Sequence, residues 1–169
     1  MTGNKIDSTT QALPKILIYG YGNPGRQDDA LGILLSEKIE AWARENNYSN
    51  ISVDQNYQLN IEDADNISEY DLVIFLDASV KEIESVLIEP VIPDLKTDFS
   101  MHSVTPAFVL GLSRQIFDRI PDTYQIHIRG YKYDFMEPLT EKAKKNLELA
   151  FSETISFLKK FLSSKKRLT

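Results

Sequence analysis

Residues 72–76 read Leu-Val-Ile-Phe-Leu, held between Asp71 and Asp77. A run that is apolar on both of its alternating sides suits a parallel strand with both faces covered, not a strand with one wet face. Parallel neighbours need long crossovers, usually helical, and the flanking sequence supplies them. Residues 15–19 form a second apolar run that ends in the turn Gly20-Tyr21-Gly22-Asn23-Pro24-Gly25, as a buried strand entering a Gly-rich loop would. Ala30, Leu31, Leu34, Leu35, Ile39, Trp42 and Ala43 then recur at steps of three and four, which builds one apolar helix face. Asp28 and Asp29 are expected in the first turn of that helix, where its dipole favours anions.

Further strands are expected at 51–54, 85–90 and 124–130, and a short helix or irregular connection at 61–70. Residues 93–103 read as a loop. Thr105-Pro106 has the hydroxyl cap and early Pro of a helix start, and Phe108, Val109, Leu112, Ile116 and Phe117 give that helix an apolar face. A long last helix opens at Thr140, with Leu147, Ala150, Phe151, Ile155, Leu158 and Leu162 along one side. Strands alternating with helices imply an α/β fold, a three-layer sandwich with a mostly parallel five-stranded sheet and helices on both faces.

The chain has 169 residues, which suits a single domain. The expected organisation is a flexible leader over 1–14, one domain over 15–162 and a basic tail over 163–169. There is no Cys, so thiol nucleophiles, zinc–thiolate sites and disulfides are excluded. The net charge of −6 argues against nucleic acid as a partner, because phosphate binding relies on clustered cations. Lys159, Lys160, Lys165, Lys166 and Arg167 are the exception, and they read as cations at a helix C-terminus. No apolar run approaches the ~20 residues of a membrane span. The first fourteen residues lack the apolar middle of a signal peptide, so the protein is expected in the cytoplasm.

In open parallel sheets, ligands bind beyond the carboxyl ends of the strands, where strand order reverses. Asn23, Asp28 and Asp29 follow the first strand, Asp77 ends the central one, and His102 follows the fourth after a loop. Asp29, Asp77 and His102 together offer two carboxylates and an imidazole, a donor set suited to a borderline divalent cation with positions left open. Each also has a plainer reading: a helix-start anion, a strand-end turn former and a surface loop histidine. His127 alternates with Ile126 and Ile128 and reads as a structural or supporting residue. Gly20 and Gly22 tolerate positive φ and close backbone approach. The turn matches neither the dinucleotide fingerprint nor the P-loop, and Asn23 is a candidate to orient a carboxylate or a substrate carbonyl.

The stretch from Gly20 through Gly22, Asn23, Asp28 and Asp29 to Gly32 resembles the N-terminal signature of the hydrogenase maturation proteases, in which G-x-G-N precedes a D-D or D-E pair and a Gly. Asp77, in the setting Val73 to Ala78, and His102, in Met101-His102-Ser103-Val104-Thr105-Pro106, match that family's second and third metal ligands. The resemblance covers residues 15–162 and implies the phosphorylase/hydrolase-like sandwich. It implies an endopeptidase that trims the C-terminal extension of a nickel–iron hydrogenase large-subunit precursor after nickel insertion. Asp29, Asp77 and His102 would then be both metal-binding and catalytic, with Gly22, Asn23 and Asp28 in support. The cofactor implied is nickel, supplied by the precursor, or another divalent cation in its place. The partner implied is that precursor, and the protein is expected as a monomer. Two departures stand out. Ala78-Ser79-Val80-Lys81 replaces a Gly-rich stretch, and Asp29 is one methylene shorter than the Glu of some members.

Two other readings stay open. Gly22-Asn23-Pro24-Gly25 also resembles a turn of bacterial peptidyl-tRNA hydrolases, although no His occurs before position 102. The other is a non-catalytic module that binds metal or precursor on the same fold.

Overall fold

A computed structural model describes residues 12–96 and 104–166. Five strands form one sheet: β1 (Ile16–Tyr21), β2 (Ile51–Asn56), β3 (Leu72–Ser79), β4 (Val86–Pro90) and β5 (Asp122–Arg129). Their order is β2-β1-β3-β5-β4. The first four in that order run parallel, and β4 pairs antiparallel with β5 at the edge. Only six residues join β3 to β4, too few for a parallel crossover, which takes about a dozen or more. The sheet is thus mostly parallel with one reversed edge.

Side-chain alternation sorts the core into two layers. Ile16, Ile18, Leu72, Ile74, Leu76, Ile126 and Ile128 face α1 (Leu31–Glu45) and α4 (Glu141–Lys166). Leu17, Tyr19, Val73 and Phe75 face α2 (Asp63–Ser68) and α3 (Pro106–Phe117). β3 lies in the middle of the sheet, and residues 72–76 are wholly buried on both sides, as the continuous apolar run requires. Thr105 caps α3 by accepting a hydrogen bond from the Phe108 amide at 3.2 Å, with Pro106 in the first turn. Leu147, Ala150, Ile155, Leu158 and Leu162 of α4 are buried, and Phe151 packs against them.

α4 continues to Lys166, so most of the expected basic tail is helical, and Lys159, Lys160 and Lys165 lie on that helix. No helix among the described residues is long and apolar enough to cross a membrane. Among the described residues, two helices cover each face of the sheet. The strand order reverses between β1 and β3, because β1 leads to β2 on one side while β3 lies on the other. The carboxyl ends of β1 and β3 therefore mark the switch point of the fold.

Candidate active site

β1 ends in Tyr21, and Gly22 follows with φ of +137°, a conformation open to Gly and strained for other residues. A Cβ at Gly22 would also collide with the carbonyl oxygen of Asp29. This close approach folds the 22–26 turn back over residues 27–30. Those residues form a short 3-10 turn before α1, not the first turn of α1 itself. The acid pair thus precedes the helix it was expected to begin. Gln27 takes φ of +43°, and the chain bends sharply there.

The two neighbouring acids have separate surroundings. Asp28 is fully buried. Its Oδ2 accepts hydrogen bonds from the Tyr131 amide at 2.8 Å, the Lys132 amide at 3.2 Å and the Thr140 hydroxyl at 2.8 Å. Its Oδ1 accepts from the Thr140 amide at 2.8 Å. With its acceptor positions filled, Asp28 ties the 3-10 turn to the segment between β5 and α4. Asp29 is half-buried and lines an open cleft of about 410 Å³ with Tyr21, Gly22, Asp77 and the 57–62 segment. One oxygen, Oδ2, accepts from the Asn23 amide at 3.0 Å. Asn23 thus orients a carboxylate through its backbone. Its side-chain oxygen accepts from the Gly25 amide at 2.9 Å and closes the turn.

Asp77 is carried to the same cleft by β3, on the face shared with Val73 and Phe75. Desolvation raises its pKa to about 7, and the charge of Asp29 pushes the same way, against the Tyr21 hydroxyl and the Ala78 amide. The cleft lining contains no Lys or Arg among the described residues. The Asp29 and Asp77 carboxylates, facing one cavity with no Lys or Arg in its described lining, fit a divalent cation. No third His, Cys, Asp or Glu completes a ligand group among the described residues. His102, the expected third ligand, lies outside the described residues, as does most of the expected 93–103 loop.

The far wall of the cleft is the 57–62 segment, pinned by Asp63. Asp63 accepts from the Tyr19 hydroxyl at 2.9 Å and from the Asn60 amide at 2.7 Å. His127 is buried and pairs its Nε2 with Glu89 across β4 and β5 at 2.8 Å, a structural role.

Two tyrosines escaped the sequence reading. Tyr21 lines the cleft beside Asp77 and accepts a hydrogen bond from Gln125 Nε2 at 3.1 Å. Strand alternation held the signal: Gly20 pairs with Leu76, so the next residues, Tyr21 and Asp77, share a face at one level of the sheet. Tyr133 lies within reach of the charges of the acids, with its buried hydroxyl unpartnered among the described residues. Burial and the charges of Asp28, Asp29 and Asp77 raise its pKa to about 12, against Arg26. No periodicity announces Tyr133, because it lies in an irregular segment.

No protein-family model matches the chain, and no curated protein matches its sequence. Solved structures do match its fold. The [NiFe] hydrogenase maturation protease HycI from Thermococcus kodakarensis is 22% identical with a TM-score of 0.69, over 88% of this chain and 95% of that one. The hydrogenase maturating endopeptidase HybD from E. coli is 18% identical with a TM-score of 0.67, over 86% and 93%. An endopeptidase from Escherichia coli is 21% identical with a TM-score of 0.68, over 86% and 93%. At these identities the likeness is one of fold, and it extends over nearly the whole of each molecule.

Proposed function

We propose that the chain is an endopeptidase of nickel–iron hydrogenase maturation, which removes the C-terminal extension of the large-subunit precursor after nickel insertion and recognises that nickel through Asp29, Asp77 and His102. The observation that carries this reading is the meeting of Asp29 and Asp77, from separate segments, in one cleft at the switch point with no cationic residue in its described lining. The fold shared with proteins named as hydrogenase maturation proteases supports it.

The nickel arrives with the precursor and is part of the substrate. Asp29 and Asp77 offer it oxygen donors, His102 a nitrogen, and a bound cation would polarise a scissile carbonyl or a water. The remaining work falls to the chain. The Asn23 amide fixes one oxygen of Asp29. Asp77, whose pKa burial raises to about 7, releases any proton it holds as a cation docks. Tyr57, Leu59 and Ile61 contribute apolar surface to the cleft, which this reading assigns to an extended segment of the precursor. With no Cys in the chain and no Ser in a G-x-S-x-G turn, water is the nucleophile this reading requires. It assigns the protein to the cytoplasm, beside its precursor, acting as a monomer. Another divalent cation is expected to bind the same donors in place of nickel.

Mass spectrometry of the precursor after incubation tests the roles. Asp29→Ala, Asp77→Ala and His102→Ala are each expected to abolish the mass loss that the wild type produces. Retained cleavage in either Asp variant would remove that residue from the site.

A further inference from the structure

Tyr21 closes β1 with its side chain on the face shared with Asp77. Its ring packs against the α2–α3 layer, a contact that a Phe would make equally well. The hydroxyl adds something the core does not need. It lies beside Asp77 in the cleft lining, at the same level of the neighbouring strand. Gln125 of β5, the strand beyond β3, donates a hydrogen bond from its side-chain amide to the Tyr21 oxygen at 3.1 Å. A tyrosine oxygen that accepts one hydrogen bond is left with its own proton to give, and donation and acceptance strengthen each other. Three adjacent strands thus contribute Gln125, Tyr21 and Asp77 to one chain of polar groups.

We propose that Tyr21 and Gln125 form a positioning relay that fixes the Asp77 carboxylate in the orientation needed to bind the metal ion. Tyr21 acts on Asp77 directly, and Gln125 acts only through Tyr21. The inference rests on the proposed role of Asp77 as a metal ligand and adds two residues to it. Partners that orient a ligand typically account for about ten- to hundredfold in metal affinity.

Calorimetric titration of Ni²⁺ into the full chain tests the relay, with thermal midpoints recorded alongside. Tyr21→Phe is expected to weaken binding about tenfold with little change in thermal midpoint. Gln125→Met is expected to weaken it severalfold. The double variant is expected to bind no more weakly than Tyr21→Phe alone, because removing Gln125 has nothing left to act through. Unchanged affinity in Tyr21→Phe overturns the relay while the metal site stands. So does a Gln125→Met effect that persists in full in the Tyr21→Phe background. A wild type that does not bind Ni²⁺, or an Asp77→Ala variant that binds as tightly as wild type, overturns the reading of the site and the relay with it.

Discussion

Asp28 and Asp29 are adjacent and chemically identical, yet their surroundings predict opposite consequences of removal. Asp28→Ala strands the amides of Tyr131, Lys132 and Thr140, and each buried group left unpaired costs about 1–3 kcal/mol. A urea unfolding curve is expected to show a loss of about 3–5 kcal/mol. Asp29→Ala removes one acceptor from a half-buried cleft and relieves Asp77 of a like charge, so the same curve is expected to move by less than about 1 kcal/mol while cleavage disappears. Asp77 adds a pH signature. Its folded pKa of about 7 lies above the unfolded value of 3.8, so between those pH values the folded state holds more protons than the unfolded state. Its contribution to stability therefore falls as pH rises through that window and is flat above it. Asp77→Asn is expected to be as stable as wild type at pH 4 and more stable by up to about 4 kcal/mol at pH 8. Cation binding runs the other way: its affinity rises with pH until Asp77 is fully ionised and then levels off.

Elements decide where these acids stand. The turn after β1 functions because Gly22 lets the backbone pass against Asp29. Gly22→Ala adds a Cβ both to that contact and to a φ of +137°, at a cost of about 1–3 kcal/mol. It is expected to displace the 3-10 turn, so circular dichroism melting and Ni²⁺ titration should both report the loss. Much at this scale was legible beforehand. Continuous apolarity marked β3, spacing of three and four marked α1 and α4, and a hydroxyl followed by Pro marked the start of α3. The separate roles of the two acids were not legible. They depend on the bend at Gln27 and on amide donors from residues 131–140, more than a hundred positions downstream. Tyr21 was hidden by its position inside a Gly-rich turn, where the glycines draw the eye, although strand alternation alone would have set it beside Asp77. Residue spacing also says nothing about which strand enters between two others, so the insertion of β5 between β3 and β4 was beyond it.

At the scale of the whole molecule, a sheet covered on both faces leaves few places for chemistry, and the reversal between β1 and β3 selects one. Asp29 and Asp77 reach it from different elements, and the likeness to hydrogenase maturation proteases spans the layers that bring them there. The whole-molecule charge of −6 suits a cationic or metal-bearing target better than a phosphate backbone. The central claim is that this cleft reads a metal ion on its substrate and cuts accordingly. Incubating the purified chain with nickel-loaded and with nickel-free hydrogenase large-subunit precursor, then weighing the products, tests it most directly. The account predicts loss of the C-terminal extension from the nickel-loaded precursor alone. Equal trimming of both forms, or trimming of neither, would contradict it.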